Sequence, residues 1–408
     1  MHESSIRGRL WATILGLCGV FLAASLLPLP GLTERAAVAL PTGFWPWATG
    51  HAFTLGMTPF FAAAFLGYLA IFIVPSLRRL GNAAIARFRR TLVIVALVWA
   101  ALLAYHLVRS VHAITPLSTA AKISWLILLV GSVGVLGVVA DWMKKRAVGD
   151  GFALLLATSF AREVQDLQDA RSAAGLAEPW LVWLATPLIV AALTAGLWLV
   201  RRDDQAYVRI PTAGIVPVVV AFGLPMVVTA LALFGIVDAR YAVAMTPGSW
   251  TFSAGAAFVV AALTLGLSRM WNRSAVTNED ARVRKAFRYA LAMSLVFGLV
   301  LVLRPVLSWR NAVDPLMVVV LVTVGFDVGS EIVFRQKHGD VVVLRSEWDV
   351  DAARRAGLLL QQSGIPVLLR GEFFLTVTRV FGLLTPIEVM VPAHHAEGAR
   401  KICAELTS

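Results

Sequence analysis

Between residues 9 and 334 the sequence returns ten times to an apolar stretch, most of them approaching the ~20 residues that a bilayer-spanning helix requires. The stretches run roughly over 9–27, 52–75, 91–108, 121–140, 149–161, 180–200, 212–236, 251–270, 287–303 and 314–334. With 59% hydrophobic and 15% charged residues in a chain of 408, there is more apolar surface than a soluble core can hide, so the expected class is an all-α polytopic membrane protein. The fifth stretch, which opens at Gly149-Asp150-Gly151, is too short to cross alone.

A net charge of +12 raises the question of nucleic acid, and the placement of the charge answers it. Alternate connections carry Arg7 and Arg9, then Arg78, Arg79, Arg87, Arg89 and Arg90, then Lys144, Lys145 and Arg146, with further basic residues at 201–209 and 269–288. Nineteen basic residues fall on that side against eight on the other, the asymmetry by which the positive-inside rule orients spans. Both termini are then cytoplasmic. The basic charge is a topology signal with membrane lipids as its partners, and no nucleic-acid site is expected.

Residues 6–27 join a basic start to an apolar run, and Ala23-Ala24-Ser25 offers a small-x-small cleavage site, but the run continues through Leu26-Leu27 and nine further stretches follow. An uncleaved first helix is expected. Cys18 and Cys403 are too isolated for a disulfide framework or a metal site. His51, His106 and His112 lie near the ends of spans, and the adjacent His394 and His395 point different ways at a helix start. No catalytic constellation, phosphate loop or metal-ligand spacing is present, so the chain is read as a non-enzyme without cofactors. Mid-membrane ionisable residues, which ion-coupled carriers keep, are scarce, which favours a gated apolar constriction.

Gly56-Met57-Thr58-Pro59 and Gly214-Ile215-Val216-Pro217 sit at matching places of two halves, and Gly/Pro-interrupted spans at corresponding points mark a pathway between repeats. Several segments in order resemble the SecY family, the central subunit of the bacterial protein-translocation channel. They are the basic entry Ile6-Arg7-Gly8-Arg9-Leu10 with its exit Pro28-Leu29-Pro30-Gly31-Leu32, and Leu55 to Ala64 around the first Gly-x-x-Pro. Lys144 to Leu154 follows as a charged turn leading into Gly-Asp-Gly, then Arg209-Ile210-Pro211, Ala213 to Pro217, and Leu316 to Asp327 as a final helix. The likeness covers roughly residues 6–336. It implies ten transmembrane helices in two pseudo-symmetric halves (domain 1–336), in the bacterial cytoplasmic membrane, passing or inserting polypeptide. SecE-like and SecG-like subunits are its implied partners.

Carried over position by position, the resemblance implies a pore constriction of Met57, Phe61, Phe152, Leu156, Val219 and Val320, and a plug at residues 33–50, which hold Trp45-Pro46-Trp47. The family's lateral-gate polar residues fall at Trp99 and at Pro211 or Thr212, so gate polarity has been exchanged for apolar or rigid side chains. The long cytoplasmic hairpin at which SecA or the ribosome docks is missing, since Arg209-Ile210-Pro211 runs directly into Ala213-Gly214. Cytoplasmic partner contact is left to Arg201, Arg202, Arg209, Arg282, Arg284 and Lys285. A lipid or small-molecule transporter and a non-conducting sensor on the same scaffold are the alternative readings.

Residues 337–408 read as a second, cytoplasmic unit of β-α-β-β-α order, joined by the polar Gln336-Lys337-His338-Gly339. Strands are expected at 340–344, 365–369 and 388–391, and helices at 347–362, ended by Ser363-Gly364, and 393–406. The pattern resembles uncharacterised bacterial domains described as signal-transducing.

Overall fold

The computed structural model describes residues 6–31, 51–74, 82–157, 250–271, 315–348, 350–377 and 381–405, with isolated positions between 217 and 299. The chain divides into two compact units. One comprises Met1–Gly175, Val324–Glu372 and Phe381–Ser408, and the other Leu176–Thr323 and Phe373–Val380. The plug segment 33–50 and the spans expected at 180–200 and 287–303 lie outside the continuously described residues.

In the first unit, α1 (Ile6–Leu26), α2 (Thr58–Ile73), α3 (Asn82–Ile114) and α4 (Thr119–Arg146) are followed by a helical run, α5, over 151–157. α3 packs on both α2 and α4, and α1 packs on α4. Among the described residues, three segments, Ile6–Ala24, Arg87–Ile114 and Thr119–Arg146, are long and apolar enough to cross a membrane. α3 shows how its sequence sorts its faces. Leu92, Ala96, Ala100, Ala104 and Val108 recur every four residues and are buried, while Ile94, Val98, Leu102 and Tyr105 are exposed. Small residues let neighbouring helix backbones approach, and an exposed apolar stripe suits lipid. α3 is longer than the apolar run 91–108 because it continues back through Arg87, Arg89 and Arg90 to Asn82.

The Gly-x-x-Pro of the first half does not interrupt a helix; it starts one. Residues 51–57 turn tightly, Gly56 adopts φ +47°, and Pro59 stands in the first turn of α2, where its missing N–H costs nothing. At that end of the bundle Trp125 Nε1 donates to the Pro30 carbonyl at 2.8 Å, and Ser132 Oγ to the Ala52 carbonyl at 2.8 Å, tying both segments to α4. Ser118 caps α4 by accepting from the Ala121 amide.

In the second unit, α6 (Trp250–Trp271) buries Phe252, Ala256, Val260 and Thr264 along one face. The last long helix, α7 (Pro315–His338), belongs to the second unit up to Thr323 and to the first from Val324, and it ends at Gly339, whose φ of +74° suits a helix terminus. α7 runs through the polar connection read at 336–339, so β1 follows it almost directly.

The tail contains β1 (Val341–Glu347), α8 (Val350–Gln362), β2 (Leu368–Arg370), a short α9 (Glu372–Val377), β3 (Ile387–Pro392) and, after a 3₁₀ turn, α10 (Ala396–Glu405). The sheet is antiparallel in the order β1-β3-β2, with a register shift between Val343 and Arg345. β3, at the centre, is buried at every residue, so its sequence does not alternate. α8 and α10 pack on the sheet and on each other. α8 buries Ala353, Ala356 and Leu360, then closes with the Gly364 amide on Gln361 and the Ile365 amide on Leu360, a Schellman ending with Gly364 at φ +77°. Pro366 has no N–H to give a ladder, and β2 begins only at Leu368.

Candidate functional site

The basic end of the first unit, where α4 and α7 finish and α5 begins, gathers the polar chemistry of the described residues. Gly151 allows α4 and α5 to meet there, since a Cβ on it would lie 2.2 Å from the Ala140 carbonyl oxygen. Gly149 holds φ +83°. Between them Asp150 Oδ1 accepts from the Phe152 and Ala153 amides at 3.0 and 3.1 Å, satisfying donors that a helix start leaves without partners. The Gly-Asp-Gly motif is thus a helix start under tight packing.

Glu331, on α7, is wholly buried and fully engaged. Its Oε1 accepts from Arg335 Nε at 2.7 Å and Arg370 Nη2 at 2.8 Å, and its Oε2 from Arg370 Nε at 2.9 Å and the Gly149 amide at 2.8 Å. Arg370 therefore grips Glu331 with both prongs of its fork. Its remaining Nη1 donates to Glu388 Oε2 at 2.9 Å and to the Lys144 carbonyl at 3.1 Å. Lys144 Nζ in turn lies 3.3 Å from Glu388 Oε1. Arg370 and Glu388 are register partners on β2 and β3, so both leave the same face of the sheet, the face turned to the ends of α4 and α7. Burial opposes the charge of the Arg370 guanidinium, and the fields of Glu331 and then Glu388 outweigh it, holding its pKa above the ordinary value. The tail is bolted to the bundle by a buried ionic network.

An aromatic cluster adjoins this network. Phe61 on α2 and Phe152 on α5 both meet Phe381, from the connection before β3, with ring centroids at 5.3 and 5.7 Å. Phe60 stands edge-on to Phe152 at 5.9 Å and packs over Gly137 of α4. Leu383 lies beside Leu92 against Gly67, whose absent side chain makes the room: a Cβ there would be 3.1 Å from Leu383 Cδ1.

Met57, Phe61, Phe152 and Leu156, four of the residues implied for the constriction, are all buried within the first unit. Val320, a fifth, is buried in the second unit, and Val219 lies outside the described residues. Trp99 is half-buried, and its indole N–H has no partner among the described residues. Pro211 and Thr212, like Arg201, Arg202, Arg209, Arg282, Arg284 and Lys285, are outside the described residues. Sequence reasoning missed Glu331, Arg370 and Glu388. Their signal was a carboxylate with Arg four residues on at the end of an apolar run, and single charges inside otherwise apolar strands.

No protein-family model matches the sequence, and no curated protein matches it significantly. Solved structures do match. A SecY structure whose plug domain is described as stabilising the closed state of the translocation channel and maintaining a membrane seal aligns with a TM-score of 0.54. It is 12% identical, covering 82% of this chain and 94% of that chain. Sec61 in the canine ribosome-channel complex of the endoplasmic reticulum gives a TM-score of 0.54, 12% identity, and coverage of 82% and 94%. A protein-conducting channel aligns with a TM-score of 0.51 at 12% identity, again over 82% of this chain and 94% of that chain. Helices, apolar lipid-facing stripes and these neighbours together give the chain a SecY-like membrane fold.

Proposed function

We propose that this protein is a divergent SecY-like channel subunit that translocates polypeptides across, or inserts them into, the cytoplasmic membrane of a bacterium. The observation that carries the reading is the fold likeness to SecY and Sec61 over 82% of the chain. In this reading ten spans form two pseudo-symmetric halves, both termini are cytoplasmic, and Met57, Phe61, Phe152, Leu156, Val219 and Val320 form an apolar constriction that works by excluding water. SecE-like and SecG-like subunits join through lipid-exposed helix faces. Without the docking hairpin, SecA or the ribosome has no hairpin to bind, and the basic residues at 201–209 and 282–285 are what remains for a cytoplasmic partner. Replacing Phe61, Phe152 and Leu156 together by Ser tests the constriction, and it removes Phe381's partners as well. The expected result is a raised ion leak across a sealed bilayer. A folded triple variant that leaks no more than the parent reduces the ring to packing.

A further inference from the structure

Given a conducting channel as proposed above, we propose that the Phe381–Thr385 turn is an intramolecular wedge that occupies the channel's apolar path until a translocating apolar segment displaces it. The turn is built as a knob. The Leu384 and Thr385 amides donate to the Phe381 carbonyl at 2.8 and 3.0 Å, and Thr385 Oγ1 donates to the same oxygen at 3.2 Å, so the turn closes on itself through three of its donors. What it presents is Phe381, Leu383 and Leu384, all buried. Phe381 rests on Phe61 and Phe152, two residues of the implied constriction, and Leu383 on Gly67 one and a half turns further along α2.

The knob runs into β3, which begins at Ile387, and Glu388 beside it is held by Arg370 and Lys144. The knob is therefore anchored on its β3 side by the ionic network, so the sheet delivers it to one place. An apolar side chain seated on an aromatic pair is what an incoming apolar peptide segment would offer to the same walls. The wedge and the substrate compete for one surface, and the tail is a closing device for the path.

The test uses the full chain with Cys18 and Cys403 replaced and a photoreactive residue at Leu156, challenged with a stalled secretory chain bearing an apolar segment. Phe381→Ala with Leu383→Ser is expected to raise the crosslinking yield at 156 by about tenfold or more, as expected when a buried aromatic contact that holds the closed state is lost. Phe381→Leu, which keeps apolar bulk, should stay near the parent. Leu92→Cys with Leu383→Cys, joined by a cleavable bifunctional thiol-reactive reagent, should abolish crosslinking until the link is cut. Equal, readily measured yields in all these forms would overturn the wedge and leave the channel standing. No crosslink in any form, including the wedge-free and linked-then-cleaved variants, would overturn both through the failure of the channel.

Discussion

Glu331 is enclosed on every side and accepts four hydrogen bonds, so its position is fixed by geometry. Removing one partner of such a pair strands the other in a poor solvent, at a cost of about 3–5 kcal/mol. Arg370→Met should lower the thermal stability of the detergent-solubilised protein by roughly that amount. A double-mutant cycle with Glu331→Gln should return a coupling of about 1 kcal/mol or more, whereas additive effects would show that the two residues act separately. Gly151 makes a different demand. A methyl group there would overlap the Ala140 carbonyl, and backbone cannot step aside as a side-chain tip can. Gly151→Ala is expected to destabilise by ~1–3 kcal/mol or more through the forced separation of α4 and α5, read as a lowered midpoint of thermal unfolding. A variant as stable as the parent would mean that the two helix ends are not in backbone contact.

Among the elements, the tail was the most legible. Ala353, Ala356 and Leu360 repeat at helical spacing and Ser363-Gly364 supplies the stop, so the body and end of α8 could be read from local chemistry, whereas its start, expected at Glu347, lies at Val350 because β1 runs on through Glu347. The ends of α7 and β2 were less so, because Gly339 and Pro366 act through backbone geometry that shifts a boundary by a few residues. α9 gave no separate signal, since Phe373-Phe374-Leu375 suits a strand as well as a short helix. What could not be read was the partner of each face. Periodicity says that one side of α8 or β3 is apolar; it does not say that Arg370 will find Glu331 39 residues away, or that Gly149 will find Glu331 across 182. The orientation of the elements in the bilayer rests on the split of basic residues and is open to labelling. Cysteines at Gly81 and Asn278 should resist an impermeant thiol reagent added outside, and one at Ser118, at the opposite end of α4 from Lys144, should react. The reverse pattern would reject the assignment.

At the scale of the molecule, the proposed reading is of a channel whose apolar constriction is closed by the Phe381–Thr385 turn, with Arg370 and Glu388 holding the adjoining sheet. A chain ending after Phe334 loses the Arg370 and Glu388 anchors together with Phe381. It is expected to insert with the same topology and to keep any conductance or substrate contact, with conductance at or above that of the full chain. A truncated protein that inserts normally and loses a biological response, with neither form conducting, would instead favour the sensor reading. The central claim is that polypeptide passes along the inner surface of the bundle. Photoreactive residues placed one at a time at Met57, Phe61, Phe152, Leu156 and Val320, and at the outward positions Val98 and Val138, measure it directly. The account predicts that a stalled secretory chain crosslinks to the first set and not to Val98 or Val138, which are 56% and 71% exposed on the bundle's outer stripes. Crosslinks confined to those outer positions, or absent from both sets in a folded protein, would contradict it.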